Sequence, residues 1–393
     1  VDGLYLVEPH AYWIWEGKKK LIIKSVNFTS HIGKLLYLCG EKVYGIIKLL
    51  PAEEIGLKGF NILKSYHLIS DKERIKWWDD KQILYAYLFE WVEKFKEPKD
   101  YKYKQGVQNS ITDVKLITSN EDHIYVKNLG YEAEVNKPPA KHPGFKPSCL
   151  VYSKDFSILI DVTKDIFEQL NIEEILNLDA IFITHCHSDS IDGFVKLNSF
   201  LKKYGETKTV YAYIDNVAII KNKFKDLTQI DFKPYKSTKT IKIKRVAIKP
   251  IKLIHDILDK FPTYGYTLYI GDISICYASD FGFKKGYENV YDFDALSNNE
   301  LAILDGAYWQ GKTNFWNHVS VLDHFTIIAG LNNKWTYFTG YGNTYPANLD
   351  LAEKVLDFYL QTYKKEIDPD CKVEKVGLVK DKQIFDLNKI KEE

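Results

Sequence analysis

The stretch "IFITHCHSDSIDG", residues 181–193, constrains the fold more than any other part of the chain. A short apolar run leads into His-x-His-x-Asp, and "GFVKLNSFLKK" follows directly. The run reads as a buried strand, and Phe194, Leu197, Phe200 and Leu201 recur at helical spacing after it. His185 and His187 therefore leave a strand on an extended loop, where residues two apart can face one ion. Imidazole suits zinc, iron or manganese, and Asp189 adds a harder oxygen donor. Cys186, between the two histidines, is expected to point away from them and is not read as a ligand. A site begun in this way lies on a loop at a strand end.

From about Ser110 onward, strand-like runs alternate with amphipathic helices. "CLVYSKDFSILIDV" reads as a hairpin turning at Lys154–Asp155, and "DIFEQLNIEEILNL" as a helix. "YTLYIGDISICYASD" is a second hairpin, turning at Gly271–Asp272. "LAILDG" is a buried strand, and "PANLDLAEKVLDFYLQTYKK" is a late amphipathic helix opened by Pro346. The pattern predicts an α/β fold with two sheets covered by helices and chemistry on loops at strand ends. The N-terminal part has short strands, "LIIKSVNF" and "KVYGIIKLL", and a predicted helix, "KQILYAYLFEWVEKF". The polar segment "EPKDYKYKQGVQNS" separates the two parts, giving predicted domains at 1–110 and 111–393.

Composition narrows the function classes. No apolar run approaches the length of a bilayer span, so no membrane association is predicted. The opening "VDGLYLVEPH" lacks basic and apolar signal regions, so no signal peptide is expected. The five cysteines are scattered and form no CxxC pair, which fits a reducing, cytoplasmic setting. A net charge of +1 exerts no global pull on nucleic acid, and of 54 basic residues only Arg74 and Arg245 are arginines. Arginine is the usual bidentate phosphate reader, so a phosphate bound here relies on lysine, backbone N–H groups or a metal.

The His motif and its surroundings resemble the metallo-β-lactamase superfamily of metal-dependent hydrolases, over roughly residues 145–390. The branch they are most similar to is that of cyclic-phosphate phosphodiesterases. "PSCLVYSKDFSILIDVTKDIFEQ" resembles the family's first strands, with Asp161 at the place of its supporting aspartate. "IKLIHDILDKFPTYGYTL" resembles the segment carrying the third histidine, here His255, and "ICYASDFG" the one carrying the metal-bridging aspartate, here Asp280. "LAILDGAYW" resembles a later strand, ending on Asp305, and "NHVSVLDHF" an active-site segment with His318. The family usually has Thr-His-x-x-His where this chain has "TYFTGYGNTYP", so its histidine positions read Gly340 and Asn343. Ser190 likewise stands where a further histidine is usual.

The resemblance implies an αββα sandwich with His185, His187, His255, Asp280 and Asp189 as metal ligands. Asp189 and His318 are its catalytic candidates, while Asp161, Ser190, Asp305 and Asn343 support the ligands from behind. Three imidazoles with an open position make a competent catalytic zinc site, so one tight Zn2+ is expected. A second ion would be weak and oxygen-rich, better suited to manganese or magnesium.

In the N-terminal part, "VEPHAYWIWEGKKKLIIKS" resembles the opening of the ASCH/PUA-like β-barrel family, over about residues 4–110. Trp13 and Trp15 beside Lys18, Lys19 and Lys20 are the residue types that stack bases and hold a strand's backbone. The chain is therefore read as a phosphodiesterase acting on a small phosphodiester or RNA-derived substrate, with RNA a candidate partner of the N-terminal domain. Two other readings stand beside it. One is a nucleic-acid- or nucleotide-binding protein with a structural or degenerate metal site; the other is a lactone or thioester hydrolase.

Overall fold

The structure is a computed structural model. It describes residues 2–79, 81–101, 110, 111, 114, 116, 117, 123–132, 143–255, 262–283, 291–311 and 317–392. The chain divides into two compact units, Val1–Glu121 and Asp122–Glu393. The division falls after the 110/111 position read from sequence. Short strands at Ser110–Ile111 and Leu116–Ile117 pair with Gly3–Tyr5 and Phe89–Tyr101 of the first unit. Of the polar segment read as a separator, residues 102–109 lie outside the described residues.

In the second unit, apolar runs become strands because both of their faces are covered. Ile158 and Ile160 of Ser157–Ile160 join one core cluster while Leu159, between them, joins another. Phe182 and Ile181 of Ala180–Phe182 divide in the same way. One cluster fills the space between two seven-stranded sheets and extends to the helices on the second sheet, and the other lies under the helices on the outer side of the first sheet.

The first sheet runs in the order Ile230–Tyr235, Lys208–Tyr213, Ala180–Phe182, Ser157–Ile160, Ser148–Tyr152, Tyr125–Gly130, Ile384–Asp386. The second runs Ile241–Ile243, Val246–Leu253, Thr263–Ile270, Ile273–Ala278, Leu301–Asp305, Trp335–Thr339, Lys375–Leu378. Helix Phe194–Tyr204 buries Phe194, Leu197 and Leu201 on the first sheet. Helix Leu349–Glu366 buries Ala352, Leu356 and Leu360 on the second. The result is the four-layer sandwich expected from sequence. Gly193 makes one close approach possible: a Cβ there would lie 2.1 Å from the Thr163 carbonyl oxygen.

Both predicted hairpins form, Ser148–Tyr152 with Ser157–Ile160 and Thr263–Ile270 with Ile273–Ala278. The single helix expected over "DIFEQLNIEEILNL" is instead two short ones, Ile166–Gln169 and Ile172–Leu176. Asn171 and Glu174 form a capping box that restarts the chain between them. The late helix starts at Leu349 with Asn348 as its N-cap, and Pro346 lies outside it.

The first unit is β-rich, with a six-stranded and a three-stranded sheet. Here the predicted helix "KQILYAYLFEWVEKF" is wrong. The segment forms the strands Leu84–Tyr87 and Phe89–Tyr101. Its aromatic and β-branched residues fit a pleated surface, and Leu84–Tyr87 is hydrogen-bonded on both sides, to Ile22–Lys24 and Glu53–Ile55. Pairing partners distant in sequence outweigh the local helical spacing.

Phe182 lies between the sheets, stacked on Tyr211 at 4.9 Å and edge-on to Tyr266 at 5.2 Å. Phe182→Ala is expected to cost about 3–5 kcal/mol of stability in the second unit, measured by the shift of its denaturant midpoint.

Candidate metal centre

The site is assembled where strands of the two sheets end. Asp161 follows Ser157–Ile160 in a left-handed backbone, φ 66°, and is buried. Its carboxylate accepts the N–H of Thr184 at 2.8 Å and the hydroxyl of Thr184 at 2.8 Å. That hydroxyl gives its one proton to Asp161, so it accepts from His185 Nδ1 at 2.9 Å. The carbonyl of Thr184 accepts from Tyr264 N–H at 3.0 Å, joining the strand exit to the second sheet. Thr184 was not singled out from sequence, although a hydroxyl residue immediately before the motif was the available signal.

Three imidazoles converge in front of this support. His187 Nδ1 lies 3.0 Å from His185 Nε2 and 3.0 Å from His255 Nε2. His255 Nδ1 donates to the Asn317 carbonyl at 2.6 Å, which puts the lone pair of Nε2 toward the other two rings. His185 is oriented in the same sense by Thr184. A single N–H on His187 can satisfy only one of the two facing nitrogens, so the cluster crowds lone pairs around one point. A cation relieves that repulsion. Burial drives His185 well below the ordinary histidine pKa and, against the pull of Asp280, takes His255 to about 4. Both are therefore neutral near pH 7, the form that ligates metal. The donor set fits a divalent ion of the zinc kind.

His255 also belongs to a second group, whose ligand atoms, with those of Asp280 and His318, all lie within 4.8 Å of one another. Burial opposes charge on Asp280, yet His185, His255 and His318 hold it down to about 2. Asp305 stands behind His318. It accepts His318 Nδ1–H at 2.7 Å, and the backbone N–H groups of Ala307, Val319 and Phe281 at 3.0, 3.0 and 3.3 Å. Burial disfavours a charge on His318, but Asp305, Asp280 and Asp189 outweigh it and raise the ring to about 9. Burial lifts Asp305 to about 6 against the pull of His318, so near neutral pH the two form an imidazolium–carboxylate pair. With Nδ1 held by Asp305, Nε2 is the ring nitrogen turned away from that carboxylate.

The remaining candidates lie around these groups. Asp189 is buried in the turn Ser188–Ile191 and falls in neither three-donor group among the described residues. Ser190 is buried with its hydroxyl 3.4 Å from His185 Nδ1, on the outer side of that ring. Asn343 is exposed, and Gly340 takes φ 77°, a backbone that favours glycine over any side chain. Cys186 is buried and its thiol lies 3.6 Å from the Asn216 carbonyl oxygen, away from the histidines.

In the first unit, Trp13 and Trp15 are partly exposed on helix His10–Trp15, and Lys18 and Lys20 are exposed. Lys19 is not a surface amine. It is 2% exposed and donates to the His67 carbonyl, with His10 Nδ1 at 3.3 Å. Lys24 is also buried and donates to the Tyr5 carbonyl at 2.7 Å. Burial pushes both amines down to about 7.

The second unit is similar to several known proteins. Residues 157–341 match the family described as Beta-lactamase superfamily domain. The metallo-beta-lactamase fold protein YhfI from Bacillus subtilis superposes with a TM-score of 0.54 at 17% identity, over 67% of this chain and 100% of its own. A diphosphatase from the PhnP family gives 0.51 at 22% identity, over 67% of this chain and 97% of its own. Hydroxyacylglutathione hydrolase of Francisella philomiragia subsp. philomiragia is 29% identical over 172 residues, 42% of this chain. The match spans 64% of that relative's length. The second unit thus has the mixed α/β fold of a metallo-hydrolase. Residues 157–341 are thus similar to a metallo-β-lactamase superfamily domain. No helix among the described residues is long and apolar enough to cross a membrane.

Replacing one converging ring removes the site's geometry. His187→Ala is expected to lower bound metal from about one ion per chain to near zero by elemental analysis, with circular dichroism unchanged. The buried amines predict a pH dependence for the first unit. Their folded pKa lies below the unfolded value, so the unfolded chain binds more protons from about pH 7 to the ordinary lysine range. Stability should rise with pH across that window. Thermal unfolding at about pH 7 and pH 9 should show the rise, and Lys19→Met should reduce it.

Proposed function

We propose that the protein is a metal-dependent phosphodiesterase acting on nucleotide- or RNA-derived phosphates. The observation that carries this reading is the pairing of two features. Three imidazole nitrogens converge on one point, and His255 links them to a second group with Asp280 and His318, whose Nδ1 is held by Asp305. His185, His187 and His255, with Asp280 beside them, would hold a divalent ion, which when bound would supply Lewis acidity and lower the pKa of water.

The chain's own groups do the rest. Asp161 and Thr184 fix the ring of His185, and the Asn317 carbonyl fixes that of His255. His318 donates its Nε2 proton to the leaving oxygen, and Asp305 keeps the resulting imidazole in place through Nδ1. Asp189 adds negative charge that favours the protonated ring, and Asp189 and Asp280 are the carboxylates that would hold any second ion. Ser190 and Asn343 offer it no imidazole, so a hard ion such as manganese or magnesium suits it better than zinc. The chain's shortage of arginine leaves phosphate recognition to the metal, His318 and lysine. In the first unit, the PUA-like reading assigns base or strand contacts to Trp13, Trp15, Lys18 and Lys20.

A second reading is thioester hydrolysis, favoured by the 29% identity to a hydroxyacylglutathione hydrolase. The two separate on substrate. The metal-replete protein should cleave bis-p-nitrophenyl phosphate and nucleoside cyclic phosphates and leave S-lactoylglutathione intact. The reverse result would establish the thioester reading, and inactivity on both would leave a binding protein with a structural ion. His318→Asn should lower kcat on a nucleoside phosphodiester by about 10²–10⁴-fold. On p-nitrophenyl esters the loss should be small, because p-nitrophenolate departs without a proton.

A further inference from the structure

The helix Leu349–Glu366 has two apolar faces where a surface helix needs one. Ala352, Leu356, Leu360 and Tyr363 are buried on the unit's own core. Leu351, Val355, Phe358 and Thr362 form a second stripe, spaced by four, three and four residues, with Leu351 53% and Phe358 67% exposed. This is the spacing of a helix–helix seam. Among the described residues of the second unit, five of the eight exposed large apolar side chains lie on this helix or just beside it: Ile327, Leu351, Phe358, Tyr359 and Ile367. Scattered apolar residues are ordinary on a surface, but a cluster marks a contact face. Beside the stripe, a cleft of about 280 Å³ opens between Phe358, Tyr359 and Ile367 on one side and Leu322, Phe325 and Thr326 on the other.

Charge selects the occupant. The helix carries Asp350 in its first turn and Lys364 and Lys365 in its last, where Glu366 pairs with Lys365 at 2.7 Å and leaves the end net positive. A copy laid antiparallel across a twofold axis near Phe358 brings the acidic start of each helix to the basic end of the other. One sequence thus supplies two equivalent charge pairs, and the helix dipoles oppose favourably. A parallel arrangement would place like charges together. Self-complementarity of this kind is what a twofold interface requires.

We propose that this face is the contact surface of a homodimer, formed by antiparallel pairing of Leu349–Glu366 with its copy and with each Phe358 seated in the other's cleft. Sedimentation of the full chain should show a concentration-dependent dimer. Phe358→Glu should raise the dissociation constant at least about tenfold, as loss of a central aromatic anchor does. Asp350→Lys should also weaken the dimer, and adding Lys365→Glu in the same chain should restore it, which a folding defect would not allow. The five native cysteines are buried, so Phe358→Cys should give a disulfide-linked dimer under mild oxidation. A chain that sediments as a monomer at every accessible concentration overturns the proposal. So does a dimer that Phe358→Glu leaves unchanged and that Phe358→Cys does not cross-link.

Discussion

The second unit is organised around the crowding of imidazole lone pairs at one point. His187 Nδ1 faces two other ring nitrogens at 3.0 Å, and two of the three rings are fixed from behind by oxygen acceptors. Neutral rings held in this way are unfavourable neighbours without a cation. The fold keeps them there because their backbone belongs to strand exits that the core already fixes. Asp161 accepts the N–H of Thr184, and the carbonyl of Thr184 accepts from Tyr264 in the other sheet. The energy that holds the site open therefore comes from inter-sheet packing.

A second arrangement of the same type lies a few ångströms away. Asp305 ends a central strand and collects four hydrogen bonds, from His318 and from the backbones of Phe281, Ala307 and Val319. Those donors come from three segments: the one after Asp280, the one after Asp305 itself, and the one carrying His318. One buried carboxylate thus sets the relative positions of a candidate metal ligand and a candidate proton donor. Its negative charge is also the strongest influence keeping His318 protonated against burial.

Much of the second unit was legible in the sequence because its strands are covered on both faces. Such strands appear as unbroken apolar runs ended by turn residues, as in "SILID", "AIFIT" and "LAILD". His185, His187 and His255 fall together in space, although nothing in their spacing requires it. What was not legible depends on backbone and on distant partners. The Asn317 carbonyl that orients His255 has no side-chain signature, and Thr184 acts only because Asp161 faces it. In the first unit, "KQILYAYLFEWVEKF" has helical spacing yet lies between strands that hydrogen-bond to both its sides. Lys19 stands in a run of three lysines that reads as solvated, and only the fold reveals that its neighbours face outward while it faces the His67 carbonyl.

The left-handed turn at Asp161 limits what its neighbourhood can become. A φ of 66° is open to glycine and, among residues with side chains, chiefly to asparagine and aspartate. Glycine would keep the chain path but leave the Thr184 hydroxyl unanchored, and asparagine would keep the shape while giving up one of the two acceptor oxygens that Thr184 uses. Larger or branched residues would strain the strand exit itself. The position is therefore restricted twice, by shape and by the pair of acceptors it must offer, and sequence drift at this corner of the sandwich has almost nowhere to go.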